Sequence, residues 1–446
     1  MTFRKIAAVP GGVLPLALSR PPWVKTRLVA LATLLVGVVV FSTVARAQFA
    51  LPEPTGPSAV GVTYIHLADD ARTDPFRSEV TVPRELTVKA YYPADPASTA
   101  PLAPYFGGFI EHLRASIAFY QLPWEPFAPL AEAVTHSRTD AALSDEAARY
   151  PLILFSPGAG TTMEMHTAQA EDFASHGYIV LAIDHPYLAG AVRLPDRIVL
   201  ATEATRPFDV PEPAVPLTRI MADDVSFVIS ELQRLDGGID ARFAGRIDLD
   251  AVGVMGHSVG GAVAYNLAIN DSRVRAAVDL DGVVFTTPGE ASAAMAPFLM
   301  IANDRHTVQA IAGRQNLRFA AAPDDVPAAD REMVFGTAGG EAAYRAAYAD
   351  EQAFIGGLAD VLGRSETLFA VTGSDHMKFS DIGLYAALPG LGGLPIGGET
   401  DAARVLAVSD ALVLAFFNEH LRGAPPGGID AVLAATPELR RIDLTP

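Results

Sequence analysis

The 446-residue chain contains no cysteine. That excludes disulfides, thiolate metal sites and any cysteine nucleophile. Positive charge is scarce: 33 Lys and Arg stand against 51 Asp and Glu, a formal net charge of −18. A surface of that sign repels phosphate backbones, so no nucleic-acid partner is expected. Charged residues make up only 19% of the chain and hydrophobic ones 50%, which is material for a large core rather than for disorder, collagen or a coiled coil. No internal repeat and no H-E-x-x-H zinc motif is found, and no cofactor or metal is expected.

The N-terminus carries Arg4, Lys5, Arg20, Lys25 and Arg27, then the uncharged apolar run Leu28 to Val44, then Ala45-Arg46-Ala47. Basic residues, an apolar segment and an A-x-A site make an export signal over 1–47, followed by a single domain over 48–446. Export to a periplasm or to the medium is the expectation. An uncleaved membrane anchor is the rival, since the run is at the short end of a spanning helix.

Short apolar strands alternate with helices along the rest. Strands are expected at Val60 to Leu67, Leu86 to Tyr92, Leu152 to Ser156, Tyr178 to Ile183, Ala251 to Met255, Val274 to Leu280, Phe298 to Ala302 and Thr367 to Val371. Helices are expected over Thr167 to His176, Leu217 to Leu235, Val259 to Ile269, much of 308–363 and Ala402 to Leu421, and the proline-rich 205–216 is read as a loop. This is an α/β fold with a mostly parallel sheet covered on both faces, and function belongs at the carboxyl ends of its strands. Insertions fall near 101–146 and 305–365. In the first, Phe106, Phe109, Ile110, Phe119, Tyr120, Leu122, Trp124 and Phe127 form either a packing layer over the sheet, the reading preferred here, or a lid that meets lipid.

Gly256-His257-Ser258-Val259-Gly260 fits G-x-S-x-G between an expected strand and an expected helix. The turn is so sharp that flanking side chains would collide, and it lifts the Ser258 hydroxyl above the sheet edge as a nucleophile. A serine needs a base that is itself oriented by a carboxylate, in the chain order Ser, acid, His. Only His306, His376 and His420 follow Ser258. His376, in the loop after a late strand, is the expected base. Asp281 and Asp304 both end strands after the nucleophile and both remain candidates for the acid, with spacing alone slightly favouring the later one, Asp304, for a generic hydrolase; Asp279 is a helper or a capping residue. The oxyanion donors are the N–H of Val259 and one from the loop Ser156 to Gly160, where Pro157 has none to give, so Gly158 or Ala159 supplies it. Asp184-His185-Pro186 precedes the nucleophile and is read as shaping the pocket, and Asp223-Asp224 as facing solvent on their helix.

Together these pieces resemble the plasma-type platelet-activating-factor acetylhydrolases, or group VII phospholipases A2, of the α/β-hydrolase superfamily. Val88 to Pro93 looks like that family's early strand, Phe155 to Gly160 its oxyanion loop, Gly256 to Gly261 its elbow, Leu280-Asp281-Gly282 its acid motif and Gly373-Ser374-Asp375-His376 its histidine motif. The resemblance implies Asp281 as the acid and Ala159 as the second oxyanion donor, and it spans roughly residues 85 to 420. It further implies hydrolysis of short sn-2 acyl groups of phospholipids or of other short-chain esters, with transient contact to a membrane surface. A general carboxylesterase, polyester hydrolase or peptidase of the same fold is the nearest alternative, and a non-catalytic binding protein a distant one.

Overall fold

The computed structural model describes residues 49–77, 81–201, 211–282, 295–304, 308, 321–362 and 367–443. The expected export signal lies outside them, as does His306. Among the described residues no helix is long and apolar enough to cross a membrane.

In chain order the strands are β1 (Val60–Thr73), β2 (Pro83–Pro93), β3 (Leu102–Pro104), β4 (Val134–Thr139), β5 (Tyr150–Ser156), β6 (Ile179–Asp184), β7 (Ala191–Arg193), β8 (Ile198–Leu200), β9 (Ile247–His257), β10 (Val274–Leu280), β11 (Phe298–Ala302), β12 (Leu368–Val371) and β13 (Leu439–Arg441). Eleven of them form one sheet in the order β13-β12-β11-β10-β9-β5-β6-β2-β1-β4-β3, and β7 pairs with β8 in a separate ribbon. From β12 to β6 every neighbouring pair is parallel, as the unbroken apolar runs of those strands demand when both faces are covered. Antiparallel pairing begins where β6 meets β2 and β12 meets β13.

The helices are α1 (Ile110–Phe119), α2 (Thr167–Ser175), α3 (Pro211–Arg234), α4 (Val259–Asn270), α5 (Arg331–Thr337), α6 (Glu341–Leu362), α7 (Ile382–Tyr385), α8 (Ala402–Arg422) and α9 (Gly428–Ala435). One core joins α3 and α4 to one face of the sheet; a second joins α2 and α8 to the other. Gly253 marks how closely α8 approaches, since a Cβ there would stand 2.8 Å from the Phe417 ring. A third cluster packs Phe106 and Phe127 with Tyr105, Leu113 and Tyr385, so the inner half of the 101–146 aromatic stretch is a packing layer. Phe109, Ile110 and Leu122 from the same stretch are exposed.

Two expectations are corrected. The segment 211–216 is helix, not loop: α3 starts at Pro211, and Pro211 and Pro213 fall in the first turn, whose N–H groups have no intrahelical acceptor to lose. Asp224 does not face solvent like its neighbour Asp223. It is fully buried, held by Arg84 at 2.8 Å and Arg72 at 2.6 Å.

Candidate active site

The elbow follows β9 directly. Ser258 has φ 57 and ψ −123, a region that costs a non-glycine residue strain and persists only where its surroundings enforce it. The two flanking glycines show the enforcement. A Cβ on Gly256 would lie 2.2 Å from the Gly260 carbonyl group, and one on Gly260 would lie 1.9 Å from the Ser156 carbonyl oxygen. The Ser258 N–H is anchored to the Leu280 carbonyl at 3.0 Å, which ties the elbow to the end of β10.

That strand end carries Asp281, itself in the left-handed region at φ 55. Its buried carboxylate accepts from His376 Nδ1 at 2.6 Å, from the Asn303 N–H at 2.6 Å and from the Asn303 side-chain amide at 2.5 Å. His376 opens a short turn, His376–Phe379, after β12, and is half-exposed. With Nδ1 committed to Asp281, Nε2 is the nitrogen available for a proton from above the elbow.

His257 lies beneath. Its Nε2 donates to the His376 carbonyl at 2.9 Å, and the two rings are 4.5 Å apart. Burial, with His376 and His166 nearby, holds the His257 ring well below the ordinary imidazole range, so a neutral ring supports His376 and adds no repulsion to an imidazolium there.

The loop after β5 crosses directly over the nucleophile: a Cβ on Gly158 would be 3.0 Å from the Ser258 Cβ. The loop is fixed by the Gly160 N–H bonding the Leu188 carbonyl at 3.0 Å and the Thr161 hydroxyl bonding the Gly158 carbonyl at 2.8 Å. Ala159, Ser258 and Val259 are the residues here left partly open. Val259 begins α4, so its N–H has no intrahelical acceptor.

Asp304 stands apart from this group. Its carboxylate accepts from the Gly373 N–H at 2.5 Å and faces Arg440 at 3.7 Å, bracing the histidine loop rather than the histidine. The strand end weighed for an acid thus contributes its neighbour Asn303 instead, a donor that sequence reasoning missed; the one signal was its position beside a candidate carboxylate. Asp279 acts as a cap: it accepts from the Gly282 N–H at 2.6 Å, and burial pushes its carboxyl well above the usual range. His185 holds the base of the oxyanion loop, with Nε2 3.2 Å from the Ser156 hydroxyl and Nδ1 2.9 Å from Asp224.

Among the described residues one group could offer three ligand atoms to a cation: His112, Glu164 and Asp184, buried and within 4.8 Å of one another. Lys89, buried beside them, supplies positive charge to Glu164 and Asp184. The group lies outside the Ser258 constellation.

A parallel sheet with this elbow, a strand-end carboxylate and a late histidine defines an α/β hydrolase with a Ser–His–Asp arrangement. The solved ferulic acid esterase from Streptomyces cinnamoneus has a similar fold, with TM-score 0.66 and 28% identity over 89% of this chain and all of that one. The chain belongs to the platelet-activating factor acetylhydrolase, isoform II, family, whose sequence pattern matches residues 43–191 and 230–424. It is 27% identical over 255 residues to the probable 1-alkyl-2-acetylglycerophosphocholine esterase of Arthroderma benhamiae, covering 53% of this chain and 59% of that protein. To the platelet-activating factor acetylhydrolase of Bos taurus it is 23% identical over 299 residues, 61% of this chain and 57% of that one. The matched region therefore spans less than two thirds of either relative's length.

Proposed function

We propose that the chain is a serine-dependent carboxylic ester hydrolase acting through an acyl-enzyme. The observation that carries this reading is the buried Asp281 carboxylate bonded at 2.6 Å to Nδ1 of His376, next to a serine in the elbow conformation. His376 Nε2 takes the Ser258 proton as Oγ attacks the ester carbonyl, and returns it to the leaving alkoxide. Asp281 fixes the Nδ1–H tautomer and stabilises the imidazolium; Asn303 fixes Asp281. The N–H groups of Val259 and Ala159 receive the tetrahedral oxyanion, each contributing on the order of 3 kcal/mol to the barrier. Water then attacks the acyl-enzyme with His376 as base.

The names of the fungal and bovine relatives support phospholipids with a short sn-2 acyl group as the substrate class. The ferulic acid esterase neighbour favours the second reading, a broader carboxylesterase. Residues 1–47 are read as an export signal, which the N-terminal sequence of the exported protein checks, and the hydrolase itself as making transient contact with a lipid surface.

The test is labelling with a fluorophosphonate, with Ser258→Ala and His376→Ala in parallel. Adduct on Ser258 that is lost in both variants supports the reading. An unlabelled wild type that turns over neither an sn-2 acetyl phospholipid nor 4-nitrophenyl acetate overturns it.

A further inference from the structure

His112, Glu164 and Asp184 come together from three separate segments: the first turn of α1, the short turn Met163–His166 that follows the oxyanion loop, and the last residue of β6. All three are buried, and each is held by one of its polar atoms. His112 Nε2 donates to the Ala191 carbonyl at 3.1 Å, Glu164 Oε1 accepts from the Tyr64 hydroxyl at 3.2 Å, and Asp184 Oδ1 accepts from the Met163 N–H at 2.7 Å. The second atom of each, His112 Nδ1, Glu164 Oε2 and Asp184 Oδ2, is buried with no hydrogen-bond partner among the described residues. A carbonyl only accepts, so in the neutral ring the proton sits on Nε2 and Nδ1 presents a lone pair. The Thr162 hydroxyl beside Glu164 is also buried and unpartnered, but one hydroxyl proton cannot serve three acceptors. Bare acceptors buried together are costly, and a positive charge among them removes the cost.

We propose that these three side chains bind one dication of the zinc class, which fastens α1 to the end of β6 and to the segment after the oxyanion loop. One imidazole nitrogen with two carboxylate oxygens suits Zn²⁺ and its first-row neighbours, whereas Ca²⁺ and Mg²⁺ take shells of six or more oxygens. Glu164 and Asp184 carry the two negative charges that the ion neutralises. The three ligand atoms lie within 4.8 Å of one another, and His112 Nδ1 stands 3.9 Å from Glu164 Oε1. That is near the ~3.4 Å edge of a tetrahedron with ~2.05 Å bonds. The bond from Nε2 to Ala191 is the outer contact that fixes the tautomer of a ligating histidine. Lys89 does not take the ion's role: its Nζ bonds the Tyr105 carbonyl at 3.3 Å and the Thr167 hydroxyl at 3.5 Å. The rival is a proton, since burial, with the Glu164 charge beside it, pushes the Asp184 carboxyl well above the usual range. The site shares no residue with the Ser258 constellation and stands whether or not the chain hydrolyses esters.

The test uses the whole chain without a histidine tag, stripped with EDTA and dialysed into metal-free buffer. Zn²⁺ is added, unbound metal is removed by gel filtration, and zinc per chain is measured by atomic spectroscopy; thermal melts are recorded across a Zn²⁺ titration. The expected result is one zinc per chain and a Tm raised by about 3 °C once Zn²⁺ is about a hundredfold above its Kd. Ca²⁺ and Mg²⁺ at the same concentrations give neither. Glu164→Gln and Asp184→Asn keep the shape of each side chain and lose its charge. Each should bind zinc at least about tenfold more weakly and lose the zinc-dependent rise in Tm. His112→Asn serves in place of either that fails to fold. A wild type that retains no zinc and shows no shift overturns the proposal in favour of the proton. Zinc that the variants hold as tightly as the wild type overturns it in favour of ordinary surface binding.

Discussion

Gly260→Ala tests how the elbow and the oxyanion loop are held in register. The added methyl would start 1.9 Å from the Ser156 carbonyl oxygen, 2.7 Å from the Ser156 carbonyl carbon and 2.8 Å from the Pro157 carbonyl oxygen. All three are backbone atoms at the root of the loop that carries Ala159, so no side-chain rotation relieves the contact. Reaching ordinary contact at 3.4 Å requires about 1.5 Å of separation between the start of α4 and the end of β5. Overpacking of this kind costs roughly 1–3 kcal/mol of stability. The effect on chemistry is larger, because displacing an oxyanion donor by about 1 Å removes most of its contribution; kcat should fall about 10²- to 10³-fold. The assay is kcat and KM on 4-nitrophenyl acetate together with a thermal melt. Gly336→Ala is the control, since nothing lies within 4 Å of a Cβ at that helical position. A Gly260→Ala enzyme that keeps more than half of wild-type kcat would refute the view that elbow and loop are one rigid unit.

Asn303→Ala removes a charge-assisted donor from the buried Asp281 carboxylate and should lower kcat/KM by about 10- to 100-fold with little change in KM, as steady-state kinetics would show. Asp224→Ala leaves the fully buried Arg84 without its closest carboxylate, and a loss of about 3–5 kcal/mol is expected in urea denaturation. Asp381, which accepts from the Tyr105 hydroxyl and two N–H groups at the start of α2, is pushed up to about 7 by burial. A raised carboxyl binds its proton in the folded state where the unfolded chain has released it. Its contribution is therefore fully present below about pH 4 and lost as the pH rises to about 7. Asp381→Asn should flatten the fall in melting temperature across that interval; an unchanged slope contradicts the assignment.

Much of the fold was open to inspection in the chain itself. The strands Val274–Leu280 and Phe298–Ala302 have the bounds their apolar runs suggest, and α2 stops at the glycine that follows it, Gly177 with φ 85. Sharp turns and doubly buried strands leave such local marks because each is constrained by its own residues. β4, β13 and α9 left none. β4 carries a mixed, half-buried pattern, and β13 is three residues long with two exposed arginines. Their identity comes from the partners they pair with.

The candidate site divides the same way. Ser258 announces itself because the steric demand of the elbow is met within five consecutive residues, and His376 because a loop after a late strand is where a base can reach it. Between Asp281 and Asp304, which both end neighbouring parallel strands, spacing alone leaned slightly to Asp304, the one that does not meet His376. Tertiary structure separates them by direction: the turn at Asp281, with φ 55, aims its carboxylate at His376, while that of Asp304 meets Gly373 and Arg440. The same holds for Asp224, polar by type but enclosed by Arg72, Arg84 and His185 from three distant segments. Sequence determined which backbone turns must form and which residues could do chemistry; packing across the sheet decided which of them face one another, because direction and burial depend on neighbours far along the chain.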